Sequence, residues 1–154
     1  MSTNESTGAS VERLHRELEA AGTRADEEPD LPAELVDDVA DELSGGRTLD
    51  FEEALVTESL DEVLLVLVGL GEGGAHGKEL ISDLETVFGA HLSPGTIYPR
   101  LHELEEEGLL EVQELVRTKE YRIADGGRVR ERIEGAMRQH LALAAVFRNG
   151  IGRI

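Results

Sequence analysis

The 154 residues predict a mainly α fold carrying one small β-hairpin, an α+β arrangement. Three observations predict it. Apolar residues recur at helical spacing between residues 58 and 108, the period shortens to two around 110–123, and helical spacing returns from Gly127 to about Arg148.

The first helical stretch, Glu58 to Leu70, holds the unbroken apolar run Val63 to Val68 and is ended by Gly69, Gly71, Gly73 and Gly74. A helix apolar on nearly every side is a buried one. The second runs from Gly77 to about Phe88, with Leu80, Ile81, Leu84, Val87 and Phe88 as one stripe and Gly89 as its stop. A third opens at Ser93, a capping residue type, with Pro94 at its first position, and closes at Gly108. Its inward face is Ile97, Leu101 and Leu104, and Pro99 falls in the second turn, where a lost amide bond is less damaging than mid-helix. Leu110 and Val112, then Tyr121 and Ile123, alternate with polar residues around Arg117, Thr118 and Lys119, which reads as a two-stranded hairpin.

Composition bounds the rest. The length suits one domain, and 40% hydrophobic residues suffice for a core that must be aliphatic, since aromatics make up 3% and Trp is absent. The absence of Cys excludes disulfides, thiolate metal sites and thiol nucleophiles, and fits a reducing, intracellular setting. Met1 to Ser10 is polar, with no signal-peptide core, and no apolar run approaches the roughly 18 residues of a membrane span, so a soluble, cytoplasmic protein is expected. The charge of -18 arises from 33 acids against 15 bases, of which only Lys78 and Lys119 are lysines. An acidic, lysine-poor surface suits molar salt, where the Debye length is about 3 Å, and a haloarchaeal host is expected. An ordinary acidic mesophilic protein is the alternative.

Residues 1–50 read as an acidic, partly disordered arm with 14 acids and four arginines, in which Val11 to Ala21 and Leu31 to Leu43 have the spacing of short helices. Such short helices need a partner surface to persist. Residues 51–125 hold the folded domain and 126–154 a C-terminal helix.

Helix, helix, turn, capped helix and hairpin is the order of a winged helix-turn-helix, whose third helix enters the DNA major groove. Three segments sharpen this: Ala75-His76-Gly77-Lys78-Glu79-Leu80, Leu92-Ser93-Pro94-Gly95-Thr96-Ile97-Tyr98-Pro99-Arg100-Leu101, and Glu105-Glu106-Glu107-Gly108-Leu109-Leu110-Glu111. They resemble the PadR family's His-Gly-Tyr-Glu-Leu, Ser-x-Gly-Thr-Leu-Tyr-Pro-x-Leu and Glu-x-Glu-Gly-Leu-Leu segments, and Glu120-Tyr121-Arg122-Ile123 stands where the family's second wing strand reads Tyr-Tyr-Arg-Leu. The resemblance spans about Leu60 to Asp125. It implies a repressor-type regulator, dimeric through its C-terminal helix and bound to an inverted-repeat operator on double-stranded DNA. The chain departs from the family pattern in three ways: Lys78 replaces the usual Tyr, the wing turn is short and lacks a basic Gly-Pro-Arg stretch, and the surface is acidic.

The candidate DNA-binding residues are Ser93, Gly95, Thr96, Tyr98, Arg100, Arg117 and Lys119. Small residues let the positive end of the third helix approach phosphate or base edges, and Arg is the commonest reader of guanine. The plainer alternative makes Ser93 a cap, Tyr98 a half-buried core residue and Arg100 a solvated charge. Charge argues against DNA, with five positive and ten negative residues between His76 and Ile123, although in molar salt little is gained by neutralising phosphate. Gly126 to Ile154 carries six arginines and two glutamates, and its stripe of Val129, Ile133, Met137, Leu141 and Phe147 is the candidate dimerisation surface. A membrane or calmodulin-like partner is the weaker reading of such a helix, and a further alternative has the arginines dock the acidic arm, which then acts as an intramolecular mimic of DNA.

None of His15, His76, His91, His102 and His140 has paired ligand spacing, so no metal site or cofactor is expected; His91 and His102 flank the third helix. Gly69-Leu70-Gly71-Glu72-Gly73-Gly74 follows a helix rather than a strand and is no dinucleotide fingerprint, and no catalytic motif is present. The rival reading is a winged-helix protein-interaction module, which the fold alone does not distinguish.

Overall fold

Around the apolar run at residues 63–68 the chain builds a helical core closed by a small sheet. A computed structural model describes residues 29–44 and 48–154. The order is α1 (Leu31–Ser44), α2 (Glu53–Glu58), α3 (Leu60–Leu70), β1 (Ala75–His76), α4 (Gly77–Thr86), α5 (Pro94–Glu106), β2 (Leu110–Glu114), β3 (Lys119–Ile123) and α6 (Gly126–Ile151). Residues 31–154 form one unit. The short helix expected at Val11 to Ala21 lies outside the described residues.

Helix α3 is the hub, as its all-round apolarity requires. Leu60, Leu64, Leu65, Leu67 and Val68 are buried, and α1, α2, α4, α5, β3 and α6 all pack on it. Leu80 and Leu84 of α4 and Ile97, Leu101 and Leu104 of α5 are fully inaccessible. Burying one such side chain stabilises the fold by roughly 2 kcal/mol. Helix α5 stops where left-handed Gly108, at φ 75°, lets the Leu109 amide donate to Leu104 O at 3.0 Å and its own amide to Glu105 O at 2.9 Å. That pairing satisfies carbonyls the helix would leave open and turns the chain into β2 with Leu109 and Leu110 buried.

The sheet has three strands in the order β1-β3-β2, all antiparallel, where the sequence predicted a two-stranded hairpin. The added strand is only Ala75–His76, too short for alternation to show, and it pairs Ala75 with Tyr121 and His76 with Glu120. Helix α2 was also unforeseen; the Phe51 ring just before it lies 5.3 Å from the Phe88 ring in the α4–α5 connection, and Glu53 ties it to the same connection, its carboxylate accepting from the His91 amide at 3.1 Å.

Helix α6 leaves the body at a charged clamp. Arg132 donates to Asp61 at 3.2 Å and Glu62 at 3.2 Å on α3, and to Glu107 at 2.8 Å just after α5. Burial pushes Asp61 above the usual carboxylate range, although Arg100 and Arg132 pull it down. Burial alone would lower the Arg132 pKa, but the Glu62 and Glu107 carboxylates outweigh it and raise the value. Two turns further on, the His140 Nδ1–H donates to Ala136 O at 2.7 Å, which leaves Nε2 to accept from the Ser59 hydroxyl at 3.0 Å.

Arg132→Ala strands three carboxylates and is expected to lower the unfolding free energy by about 2 kcal/mol in denaturant titrations at neutral pH. Asp61→Asn is expected to cost less than about 1 kcal/mol. The sign follows from Asp61's raised folded pKa: its ionised form opposes folding at neutral pH, and this penalty fades as pH falls through that value. Equal losses for the two variants would refute the assignment of Arg132 as the clamp's centre.

Candidate functional site

Pairing of β1 with β3 sets the start of α4 against the wing. The result is a cleft of about 580 Å³, walled by His76, Gly77 and Lys78, by Tyr98 of α5, and by Glu114 to Lys119. Both lysines of the chain stand in it with Arg117. Lys119 Nζ lies 3.8 Å from Glu114 Oε1 across the strand pair, whereas Lys78 and Arg117 have no ion-pair partner among the described residues. On a strongly acidic chain this is a local concentration of positive charge, and its three cations come from segments about forty residues apart in sequence.

Gly77 makes the cleft's floor possible. A Cβ there would lie 2.6 Å from the Cε1 and Oη of Tyr98, so only glycine lets the Tyr98 ring lie over the first turn of α4. The Glu79 carboxylate accepts from the His76 amide at 3.3 Å and holds that turn in place. Tyr121, 4% exposed on β3, is kept in its neutral form: burial raises its pKa, and Tyr98 and Glu105 add to the rise.

The predicted site residues divide into three groups. Tyr98, Arg117 and Lys119 meet in the cleft. Ser93, Gly95 and Thr96 are exposed at the start of α5, where the Ser93 hydroxyl lies 3.2 Å from that of Thr96 and makes no side-chain cap, contrary to the capping role read from sequence. Arg100 sits two residues from Tyr98, about 200° round the helix, and so on the opposite flank. Its guanidinium lies 3.5 Å from Asp61 and 3.9 Å from Glu103, outside the cleft. Sequence reasoning noted Lys78 only as a departure from a family pattern. Leu115 and Val116, also on the cleft wall, were not singled out.

Among the other groups, His91 approaches Glu85 at 3.2 Å and His102 approaches Glu106 at 3.2 Å. Among the described residues no cluster of His, Asp or Glu has metal-binding geometry, and no helix is long and apolar enough to cross a membrane. The predicted dimer stripe also divides. Val129 is buried in the protomer's own core, which removes it from any partner surface; Ile133 packs against that core while also lining an apolar groove; and Met137, Leu141 and Phe147 are exposed.

Comparison with known proteins gives this arrangement its context. Residues 65–132, from α3 into α6, match the transcriptional regulator PadR-like family. Transcriptional activator GvpE1 of Halobacterium salinarum is 40% identical over 143 residues, spanning 86% of this chain and 74% of that protein. The chain belongs to the PadR-like family of transcriptional regulators. Transcriptional activator GvpE2 of the same organism is 47% identical over 90 residues, covering 58% of this chain and 46% of the relative. Transcriptional activator GvpE of Haloferax mediterranei is 41% identical over 93 residues, 60% of this chain and 48% of the relative. A solved PadR-like transcription factor from Bacteroides fragilis shares the fold at TM-score 0.50 and 18% identity, covering 62% of this chain and 93% of that one. The expectation of a repressor is not supported, because these relatives are named activators.

Proposed function

We propose that this chain is a sequence-specific DNA-binding transcriptional activator that acts as a homodimer on an inverted repeat. Residues 51–125 read the DNA and the distal part of 126–154 joins two copies. The carrying observation is the cleft: Lys78, Arg117 and Lys119 gather beside Tyr98 of α5. In this reading α5 lies in the major groove with Ser93, Gly95 and Thr96 toward the bases, while the cleft holds the flanking phosphates. Arg100 contributes by steadying α5 against Asp61.

Dimerisation is supported by the distal half of α6. Met137, Leu141, Leu143, Val146, Phe147 and Ile151 are all more than half exposed, an apolar surface that water does not favour. An apolar groove of about 250 Å³ adjoins it, with Leu35, Val63, Val66 and Phe88 on its walls and Met137 at its edge. The acidic, lysine-poor composition and the relatives from Halobacterium and Haloferax support a setting of molar salt.

Footprinting of the full chain on its own upstream promoter region, from about 0.2 to about 2 M KCl, tests the reading. The expected result is a protected inverted repeat that persists at high salt. Gly77→Ala, which drives Tyr98 from its place, is expected to weaken that binding about 5-fold. Absence of sequence-selective protection at any salt would move the assignment to a protein-interaction module.

A further inference from the structure

The wing turn is built of residues that turns ordinarily avoid. Leu115 donates its amide to Thr118 O at 2.8 Å, closing a turn with Val116 and Arg117 at its apex. Val116 is 101% exposed and Leu115 43%, whereas turns are usually drawn from Gly, Asn, Asp, Pro and Ser. Neither side chain joins the protomer's core. Immediately beside them stand Arg117 and Lys119, with Lys78 across the cleft. An apolar point with three cations beside it, and Glu114 as the one carboxylate on the cleft wall, matches a surface that is anionic at its rim and apolar within, and a DNA groove, with phosphates outside and stacked bases inside, is such a surface.

We infer that the wing tip is an apolar wedge: Val116, backed by Leu115, enters the minor groove beside the recognition-helix contact and parts a base step, while Arg117 and Lys119 hold the phosphates on either side. This rests on the DNA-binding reading and adds the part that survives salt. Insertion of aliphatic side chains between base steps unstacks and bends the duplex, and the energy comes from apolar burial rather than from charge. Ionic contacts weaken steeply as salt rises, because their strength derives from counterion release. Apolar contact is not screened. A protein whose DNA contacts must hold in molar salt therefore gains more from Val116 than from a further lysine at the same point.

The test uses the full chain and a duplex selected by it from a random 30-base-pair library, carrying donor and acceptor dyes at its ends. Affinity and end-to-end transfer are read at several KCl concentrations. Val116→Ser is expected to weaken binding about 5- to 10-fold at every salt and to reduce the bend, without a change in melting temperature. Val116→Leu is expected to retain both properties. Arg117→Ala is expected to weaken binding at low salt only. If Val116→Ser binds and bends DNA like the parent, the wedge is wrong; if it loses affinity with the bend unchanged, the contact is superficial and the wedge is again wrong. Failure of the parent chain to enrich any duplex overturns the DNA-binding reading itself, which separates that failure from the wedge's.

Discussion

A chain carrying Lys78→Glu and Lys119→Glu together is expected to bind its operator about 100-fold more weakly at ~0.2 M KCl than the parent does. The reasoning is geometric before it is electrostatic. The two side chains belong to segments about forty residues apart in sequence, set against each other by the β1–β3 pairing, and both line the cleft beside Tyr98. Each phosphate contact adds about 0.9 to the slope of log affinity against log salt, so removing two contacts lowers that slope by about 2. The gap between variant and parent therefore narrows as KCl approaches ~2 M. Both lysines are exposed, and the Lys119–Glu114 pair at 3.8 Å is a surface one, so thermal unfolding should stay within about 1 °C of the parent. Unchanged affinity and slope would show that the cations do not face DNA.

The second large effect lies at the other end of the molecule. Leu141→Glu with Phe147→Glu places carboxylates on a helix surface where the parent residues are 60% and 61% exposed and no core is disturbed. The double variant is expected to sediment as a monomer at concentrations where the parent is a dimer. Its affinity for an inverted repeat should fall by roughly 100-fold, since two linked contacts become two independent ones. Affinity for a single half-site should be retained. A variant that remains dimeric would place the subunit contact elsewhere.

Much of this architecture was readable in the sequence, and what escaped has specific causes. Helices α3, α4 and α5 were legible because long apolar stripes end at Gly89 and Gly108, both of which take positive φ. Helix α2 and strand β1 escaped because six residues and two residues are too few to display a period. The missed strand had a further effect. Without β1 paired to β3, nothing relates Lys78 to Arg117 and Lys119, so the cleft stayed hidden although each of its cations was visible. The stripe of α6 was legible as periodicity, but periodicity does not show where a protein body ends. Val129 and Ile133 meet the core whereas Met137, Leu141 and Phe147 are exposed. Arg100 was legible as a residue flanking the inward stripe of α5, but its approach to Asp61 was not, because that carboxylate comes from a helix about forty residues earlier in the chain.

The Arg132 clamp has one consequence beyond stability. It grips α3 through Asp61 and Glu62 and the end of α5 through Glu107, so the direction in which α6 departs is tied to the direction in which α5 points. In a two-fold pair joined along distal α6, that angle sets the distance between the two recognition helices. In the proposed dimer the guanidinium acts as the joint of a pair of calipers, and the spacing of the operator's two halves follows from its three carboxylate partners.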